Sequence, residues 1–246
     1  MEVIQSMRMR EVHKSRSMAL WPGCCFLWKL ALDIRFHSPD ASHRFPMKQK
    51  VALIWFFFVS ALCLCCLPGA QGKTVVIDAG HGGHDRGGIA YQRYAEKEVT
   101  LDIARRLQNR LRSAGYGTVM TRTDDTFIGL RERCAIANAQ GNAVFVSIHT
   151  NSDPRGHGIG IETYYFSKQS ARLAEAVHRE VLRTSGTPNR RIRNRGFYVL
   201  RHNRLPATLV EVGFLTNAVE GPKLNNSSSY REQIAGAIAR GVQSAF

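Results

Sequence analysis

The sequence predicts an α/β fold: a single domain in which a mainly parallel or mixed six-stranded sheet carries helices on both faces. The main observation is that short strand-like segments alternate along the chain with segments whose apolar residues recur at helical spacing. One strand-like segment, AVFVSIH (143–149), is nearly continuous in apolar residues, as expected of a strand buried on both faces. The length of 246 residues is sufficient for one mid-sized domain with a substantial core.

The first half of the predicted domain holds three strands and two helices. Its strand-like segments are KTVVIDA (73–79), YGTVMTR (116–122) and AVFVSIH (143–149). The first helix ends near Gly115, and its amphipathic face is marked by apolar residues at helical spacing: Leu101, Ala104, Leu107 and Leu111. The second helix covers 128–140 and ends around Gly141.

The second half contains three more predicted strands and two helices. The strands are GIETYYF (160–166), GFYVL (196–200) and ATLVEVGF (207–214), and a helix over 169–185 follows the first of them. The stretch GPKLNNSSSY (221–230) is predicted to be a loop that supplies a helix cap. The last helix begins at about Ser229, with one apolar side formed by Tyr230, Ile234, Ile238 and Val242.

The N-terminal part of the chain has a different composition. Residues 47–72 combine a basic start, the apolar run VALIWFFFVSALCLCCL (51–67) and small residues before Lys73, which is typical of a secretory signal peptide. An uncleaved membrane anchor is the alternative. Residues 1–46 are a basic extension, expected to be disordered or to lie upstream of a true start at Met47, with a targeting extension as the rival interpretation. The exported domain is then 73–246.

Charge and cysteine content narrow the class of protein. The formal net charge is +15, but the export signal and the lack of interleaved aromatic and basic residues favour an anionic envelope partner over nucleic acid. Five of the six cysteines lie before residue 73, so the exported domain can form neither an intrachain disulfide nor a cysteine-type zinc site. The remaining thiol, Cys134, is predicted to be a buried core residue.

The stretch VVIDAGHGGHDRGG (75–88) runs from an apolar strand into a glycine-rich loop. A dinucleotide fingerprint starting at Gly80 would need glycine where the chain has Asp85, and the lysine of a phosphate-binding loop is missing as well. The loop instead places His81 at the carboxyl end of a strand, where α/β proteins build their sites. Since His149 ends the apolar strand 143–149, the two histidines are expected to lie at the same edge of the sheet.

Carboxylates complete this candidate site. Glu96 and Glu98 stand just before the first helix, where acids also stabilise the helix dipole, so at least one of them is expected to have only that role. Glu211 lies inside an otherwise apolar strand, which is costly unless the carboxylate is paired or functional. Two histidines, a carboxylate and a spare carboxylate acting as general base predict a zinc hydrolase.

Six segments in this order resemble the zinc-dependent N-acetylmuramoyl-L-alanine amidase family (amidase type 3). They are VVIDAGHGG, EKEVTLDIARRL, TRTDD, RERCAIANAQGNAVFVSIHTNS, GIETYYF and FYVLRHNRLPATLVEVGFLTN. The resemblance covers roughly residues 74–246 and implies hydrolysis of the amide between the lactyl group of N-acetylmuramic acid and L-alanine in peptidoglycan. It implies one Zn²⁺ per chain held by His81, Glu96 (rather than Glu98) and His149, with Glu211 as the catalytic glutamate.

Peptidoglycan is therefore the expected partner, and no binding to nucleic acid is expected. After signal cleavage we expect no stable membrane span. The mature protein is expected in the periplasm, the cell envelope or the extracellular space. The candidate substrate-binding residues are Asn151, Arg195 and Arg201. The two arginines belong to the basic stretch NRRIRNRGFYVLRHNR (189–204), and the alternative is that this stretch is a solvated surface without a specific role. Two alternatives stay open: another exported zinc peptidase or amidohydrolase of the same fold, and a non-catalytic wall-binding protein.

Regulation is the last expectation that the resemblance raises. Some members of the family carry a long insertion after the strand equivalent to GIETYYF, and it forms a helix that plugs the site until a partner withdraws it. Here Ser167–Ser170 connect that strand directly to the next helix, which is too short for such a plug. We therefore expect an open site, for which an activator is not strictly required.

Overall fold

A six-stranded sheet organises the part of the chain that the computed structural model describes, residues 72–89 and 92–246. Its strands are β1 (Thr74–Ala79), β2 (Gly117–Met120), β3 (Ala143–Asn151), β4 (Ile161–Tyr165), β5 (Asn189–Asn194) and β6 (Ala207–Phe214). Their order across the sheet is β2-β1-β3-β6-β4-β5. All neighbouring strands are parallel except β4 and β6, which are antiparallel. The predicted α/β class with a mainly parallel, mixed sheet is confirmed.

Helices cover both faces of this sheet. They are α1 (Glu96–Ser113), α2 (Leu130–Asn138), α3 (Ala171–Ser185), α4 (Tyr198–Arg201), α5 (Glu220–Asn226) and α6 (Ser228–Ala245), and a 3₁₀ turn (Lys168–Ser170) precedes α3. Because side chains alternate along a strand, neighbours in β1 enter different cores. Val75 and Ile77 pack in the same core as residues of α1, α3 and α6, whereas Val76 packs with those of α2 and α4.

The prediction that GFYVL (196–200) forms a strand is wrong. Tyr198–Arg201 form the short helix α4, and the neighbouring residues Val199 and Leu200 are both buried in one core cluster. Adjacent residues of a strand would point to opposite faces of the sheet, whereas a helical turn brings both to the same side. The fifth strand is instead the basic segment Asn189–Asn194, which pairs with β4 at the edge of the sheet.

The segment predicted as a loop over 221–230 is largely helical. Glu220–Asn226 form α5, and Ser227 follows as the N-cap of α6, where its side chain accepts a hydrogen bond from the backbone N–H of Tyr230. The predicted cap is therefore confirmed, although the predicted loop is wrong. Cys134 is buried, as expected of a core thiol, and burial raises its pKa.

The N-terminal segments lie outside the described residues. The predicted extension (1–46) and the signal peptide (47–72), apart from Gly72, belong to the part of the chain that is not described, and their boundaries stay predictions. Within 72–89 and 92–246, none of the helices has the length and apolar character required to cross a bilayer.

Candidate metal and catalytic site

The candidate site lies on the sheet face that packs against α2, at the carboxyl ends of three central strands. His149 in β3 is the direct neighbour of Glu211 in β6, and β1 lies on the other side of β3. Parallel strands bring their carboxyl ends to one edge, so the residues that end β1 and β3 meet there. The strand order thus brings His81, His149 and Glu211 towards one another.

His81 occupies an unusual backbone conformation in the loop after β1. Its φ of 60° lies in the left-handed region, which non-glycine residues rarely adopt. Its Nδ1 lies 2.8 Å from Oδ2 of Asp85, so the opposite ring nitrogen, Nε2, faces the site. A carboxylate on the outer nitrogen fixes the tautomer and the orientation of a metal-binding imidazole.

Glu96, the first residue of α1, is buried between the two histidines. Its Oε2 lies 3.1 Å from Nε2 of His81, and its Oε1 lies 3.0 Å from Nδ1 of His149. The backbone N–H of Thr150 also donates to Oε1 at 2.8 Å. Glu98, two residues further along the helix, is exposed. Helical geometry therefore places Glu96, and not Glu98, beside the histidines.

The charges at this cluster depend on one another. Burial alone would lower the pKa of His149, but the hydrogen bond and the charge of Glu96 raise it to about 9. Burial would raise the pKa of Glu96, and the hydrogen bonds and charges of His149 and His81 hold it well below its ordinary value instead. Glu96 is thus an ionised carboxylate that favours positive charge around it.

Glu211 has the opposite character. Burial raises its pKa to about 7, against the opposing effect of a charged His149. Its Oε2 is buried and has no hydrogen-bond partner among the described residues. Glu211 lines a cavity of about 490 Å³ together with His81 and His149, and the cavity wall also includes Phe197 and Tyr198. A carboxylate with a pKa near neutrality in such a cavity suits general acid–base chemistry.

The donor set fits a divalent metal ion. One ligand atom from each of His81, Glu96 and His149 lies within 4.8 Å of the others. Two imidazole nitrogens and a carboxylate oxygen with a free fourth position are the donors typical of catalytic Zn²⁺. These ligands pack closely against Gly87, where a larger residue would not fit. A Cβ added to Gly87 would lie 2.6 Å from both Oε2 of Glu96 and Cδ2 of His81.

Comparison with known proteins relates this arrangement to one family. The N-acetylmuramoyl-L-alanine amidase family model matches residues 75–244. The Bacillus subtilis (strain 168) protein YqiI, described as uncharacterized, is 35% identical over 202 residues, which cover 80% of this chain and 97% of YqiI. The N-acetylmuramoyl-L-alanine amidase LytC of the same strain is 37% identical over 179 residues, which cover 71% of this chain but only 36% of LytC.

A solved structure agrees with the sequence comparisons. The catalytic domain of CwlV, an N-acetylmuramoyl-L-alanine amidase from Bacillus (Paenibacillus) polymyxa var. colistinus, is similar with a TM-score of 0.66 at 38% identity. The match covers 70% of this chain and 97% of that domain. The chain belongs to the N-acetylmuramoyl-L-alanine amidase family. The resemblance drawn from its motifs is confirmed, and the structural match extends over the domain that carries the candidate site.

The three residues predicted to bind substrate in this amidase are not among the residues that line the cavity. Oδ1 of Asn151 accepts a hydrogen bond from the backbone N–H of Ser152 at 2.8 Å. Arg195 and Arg201 are exposed, and in the chain they lie on either side of the cavity-lining residues Phe197 and Tyr198. A role for these three residues in substrate binding stays a prediction.

A buried polar network beneath the site was missed by the sequence interpretation. Asp78, only 1% exposed, accepts hydrogen bonds from Arg133 at 2.7 Å, from Thr121 at 2.7 Å and from Ser147 at 2.6 Å. Burial alone would raise the pKa of Asp78, but the Arg133 charge and these hydrogen bonds hold it below its ordinary value. The signal that singled out Glu211, a carboxylate within an apolar strand, was equally present at Asp78.

Proposed function

We propose that this protein is a zinc-dependent hydrolase of bacterial peptidoglycan that cleaves the amide bond between the lactyl group of N-acetylmuramic acid and L-alanine of the stem peptide. One observation carries the proposal: the His81, Glu96 and His149 ligand atoms converge beside a buried carboxylate oxygen of Glu211 that has no hydrogen-bond partner among the described residues. The choice of the cleaved bond rests on family membership, and the proposed hydrolytic mechanism rests on this geometry.

The three converging residues hold the ion in this proposal. When bound, Zn²⁺ acts as a Lewis acid that polarises the amide carbonyl and lowers the pKa of a water molecule. Asp85 keeps the imidazole of His81 in the tautomer whose Nε2 is available for binding. Glu96 contributes the negative charge of the ligand set.

Glu211 carries the proton in this proposal. Its carboxylate accepts the proton of the attacking water and delivers it to the nitrogen of the departing L-alanine. Both transfers need a group that exists in each protonation state near neutral pH, and burial raises the pKa of Glu211 to about 7. Phe197 and Tyr198, both exposed large hydrophobic residues, also line the cavity.

Digestion of purified peptidoglycan tests the reaction. The purified protein is incubated with isolated walls, and the released products are analysed by mass spectrometry. Free stem peptides with an N-terminal L-alanine are expected, together with glycan strands that keep intact N-acetylmuramic acid. Cleavage within the peptide instead would favour the alternative of another zinc peptidase or amidohydrolase, and bound but unchanged walls would favour a non-catalytic wall-binding protein.

A Glu211→Gln variant tests the role of the proton carrier. Glutamine keeps the size of the side chain but cannot accept the proton, so activity is expected to fall about 10²–10⁴-fold. Zinc content, measured by elemental analysis, is expected to be unchanged, because Glu211 is not one of the three ligands. Glu98→Gln, at an exposed position of the same residue type, is the matched control. Activity of Glu211→Gln within a few-fold of wild type would refute the assignment.

Export to the periplasm, cell envelope or extracellular space is part of the proposal, because the substrate lies outside the cytoplasmic membrane. The mature N-terminus is expected at Lys73, and mass analysis of the protein from cells tests this. Activity without an activator is also proposed, since only Phe166 and Ser167 separate β4 from the 3₁₀ turn (Lys168–Ser170) before α3. A zinc-loaded protein that digests walls only after addition of a partner would contradict this.

A further inference from the structure

The TRTDD segment (121–125) follows β2, and its residues have no role in the proposed reaction. The side chain of Arg122, only 3% exposed, reaches from this segment under the loop that carries His81. Its Nε donates to the carbonyl of Ala79 at 3.0 Å, and its Nη2 donates to the carbonyl of Gly80 at 2.8 Å. Arg122 therefore binds the backbone that leads directly into His81.

A second buried arginine binds the same backbone from α2. Arg133, also 3% exposed, donates through Nη1 to the carbonyl of Ala79 at 2.6 Å and through Nη2 to the carbonyl of His81 at 2.7 Å. The Nη1 group also contacts Oδ1 of Asp78 at 2.7 Å. Three successive carbonyls, those of residues 79–81, thus each accept a hydrogen bond from a buried guanidinium group.

This arrangement coincides with the left-handed backbone of His81. A φ of 60° at a non-glycine residue is unfavourable and persists only where the surroundings impose it. Arginine is suited to impose it, because its rigid fork binds several acceptors in a defined geometry. Among the described residues, the acceptors of Arg122 are backbone carbonyls and the Thr100 hydroxyl. No carboxylate in the described part of the chain therefore accepts a hydrogen bond from Arg122.

We infer that Arg122 and Arg133 are positioning residues that hold the His81 backbone in the conformation that points its imidazole at Glu96 and His149. The inference rests on the proposed function only in taking His81 as a metal ligand. Neither arginine contacts the reacting atoms in this scheme. Their contribution is to preorganise the ligand set, which metal affinity reports directly.

Arg122→Lys and Arg133→Lys test the inference, since lysine keeps the positive charge but lacks the fork. Zinc affinity is measured by competition with a chromophoric chelator, and the visible absorption of the Co²⁺-substituted protein reports the ligand geometry. Affinity is expected to fall about 10–100-fold, the usual effect of losing a group that orients a metal ligand, and the cobalt spectrum is expected to change. Arg231→Lys is the matched control, because Arg231 also binds a carboxylate, Asp102, and a backbone carbonyl, that of Leu224.

Thermal unfolding of the metal-free variants separates positioning from simple stabilisation. A lower melting temperature with unchanged zinc affinity and cobalt spectrum would overturn the inference and leave the proposed function intact. If the lysine variants do not fold, Thr100→Val decides, since its lost hydroxyl donates to the Gly80 carbonyl at 2.9 Å. That variant is expected to lose about 2–10-fold in zinc affinity, and wild-type affinity would overturn the inference. A wild-type protein that binds no zinc would overturn both the function and the inference.

Discussion

Replacement of Gly80 by alanine should disable the site through a single methyl group. The backbone of Gly80 is outside the left-handed region, so alanine introduces no torsional strain, but its Cβ would lie 2.5 Å from Cε1 of His149, where ordinary contacts are 3.4–4 Å. The imidazole must therefore move by about 1 Å, a displacement that can lower the rate about 10²-fold. The Gly80 carbonyl is fixed by Arg122 and Thr100 at 2.8 and 2.9 Å, so the ring has to yield rather than the backbone.

Three measurements on Gly80→Ala test this reasoning. We expect kcat/KM on soluble peptidoglycan fragments to fall about 10²-fold and zinc affinity to fall with it. The free energy of unfolding should change by only about 1–3 kcal/mol, as for other overpacked sites. Gly141→Ala is the control, because a Cβ there has no neighbour within 4 Å. Wild-type zinc affinity and activity in Gly80→Ala would refute the steric argument.

Three further predictions concern the metal, acid stability and wall binding. Glu96→Ala should abolish zinc binding while Glu98→Ala retains it, by elemental analysis; the reverse result would exchange the two assignments. The folded-state pKa of Asp78 lies below its ordinary 3.8, so its contribution to stability should be complete near neutral pH and decline below about pH 4. The Asp78→Asn variant should have a free energy of unfolding about 3–5 kcal/mol lower at neutral pH, and its stability should depend less on pH in denaturant titrations. An unchanged dependence of stability on pH would contradict the pairing. Binding to sedimented walls should weaken as salt is raised, because Lys and Arg outnumber Asp and Glu in residues 73–246; salt-independent binding would contradict an electrostatic contribution.

The buried strands were predictable from the sequence because burial imposes a hydrophobic pattern. In β3, residues from Ala143 to Ile148 are all buried, which matches the continuous apolar run that predicted it. The edge strand β5 gave no such signal. Its segment Asn189–Asn194 is largely exposed, and three of its six residues are arginine, so pairing with β4 leaves almost no mark on composition.

The candidate ligands were likewise predictable by residue type, but the conformation of the His81 loop was not. The sequence indicated a glycine-rich loop around His81, and the structure adds that His81 itself takes the positive φ. That conformation depends on Arg122 and Arg133, which follow β1 by a whole helix and strand in the chain. Both arginines appear on the sequence as ordinary charged residues, because nothing local reveals that their side chains are buried.

The choice among carboxylates shows which information only the tertiary structure contains. Asp78, Glu162 and Glu211 each interrupt an apolar strand, and β6 lies between β3 and β4, so Glu211 is the neighbour of both His149 and Glu162. Asp78 is neutralised by Arg133, and Glu162 by Arg193. Among the described residues, only Glu211 of these three has a buried oxygen without a partner. A carboxylate in a strand therefore marks a place that needs explanation. In the proposed function, the lack of a guanidinium partner among the described residues leaves Glu211 available to carry a proton.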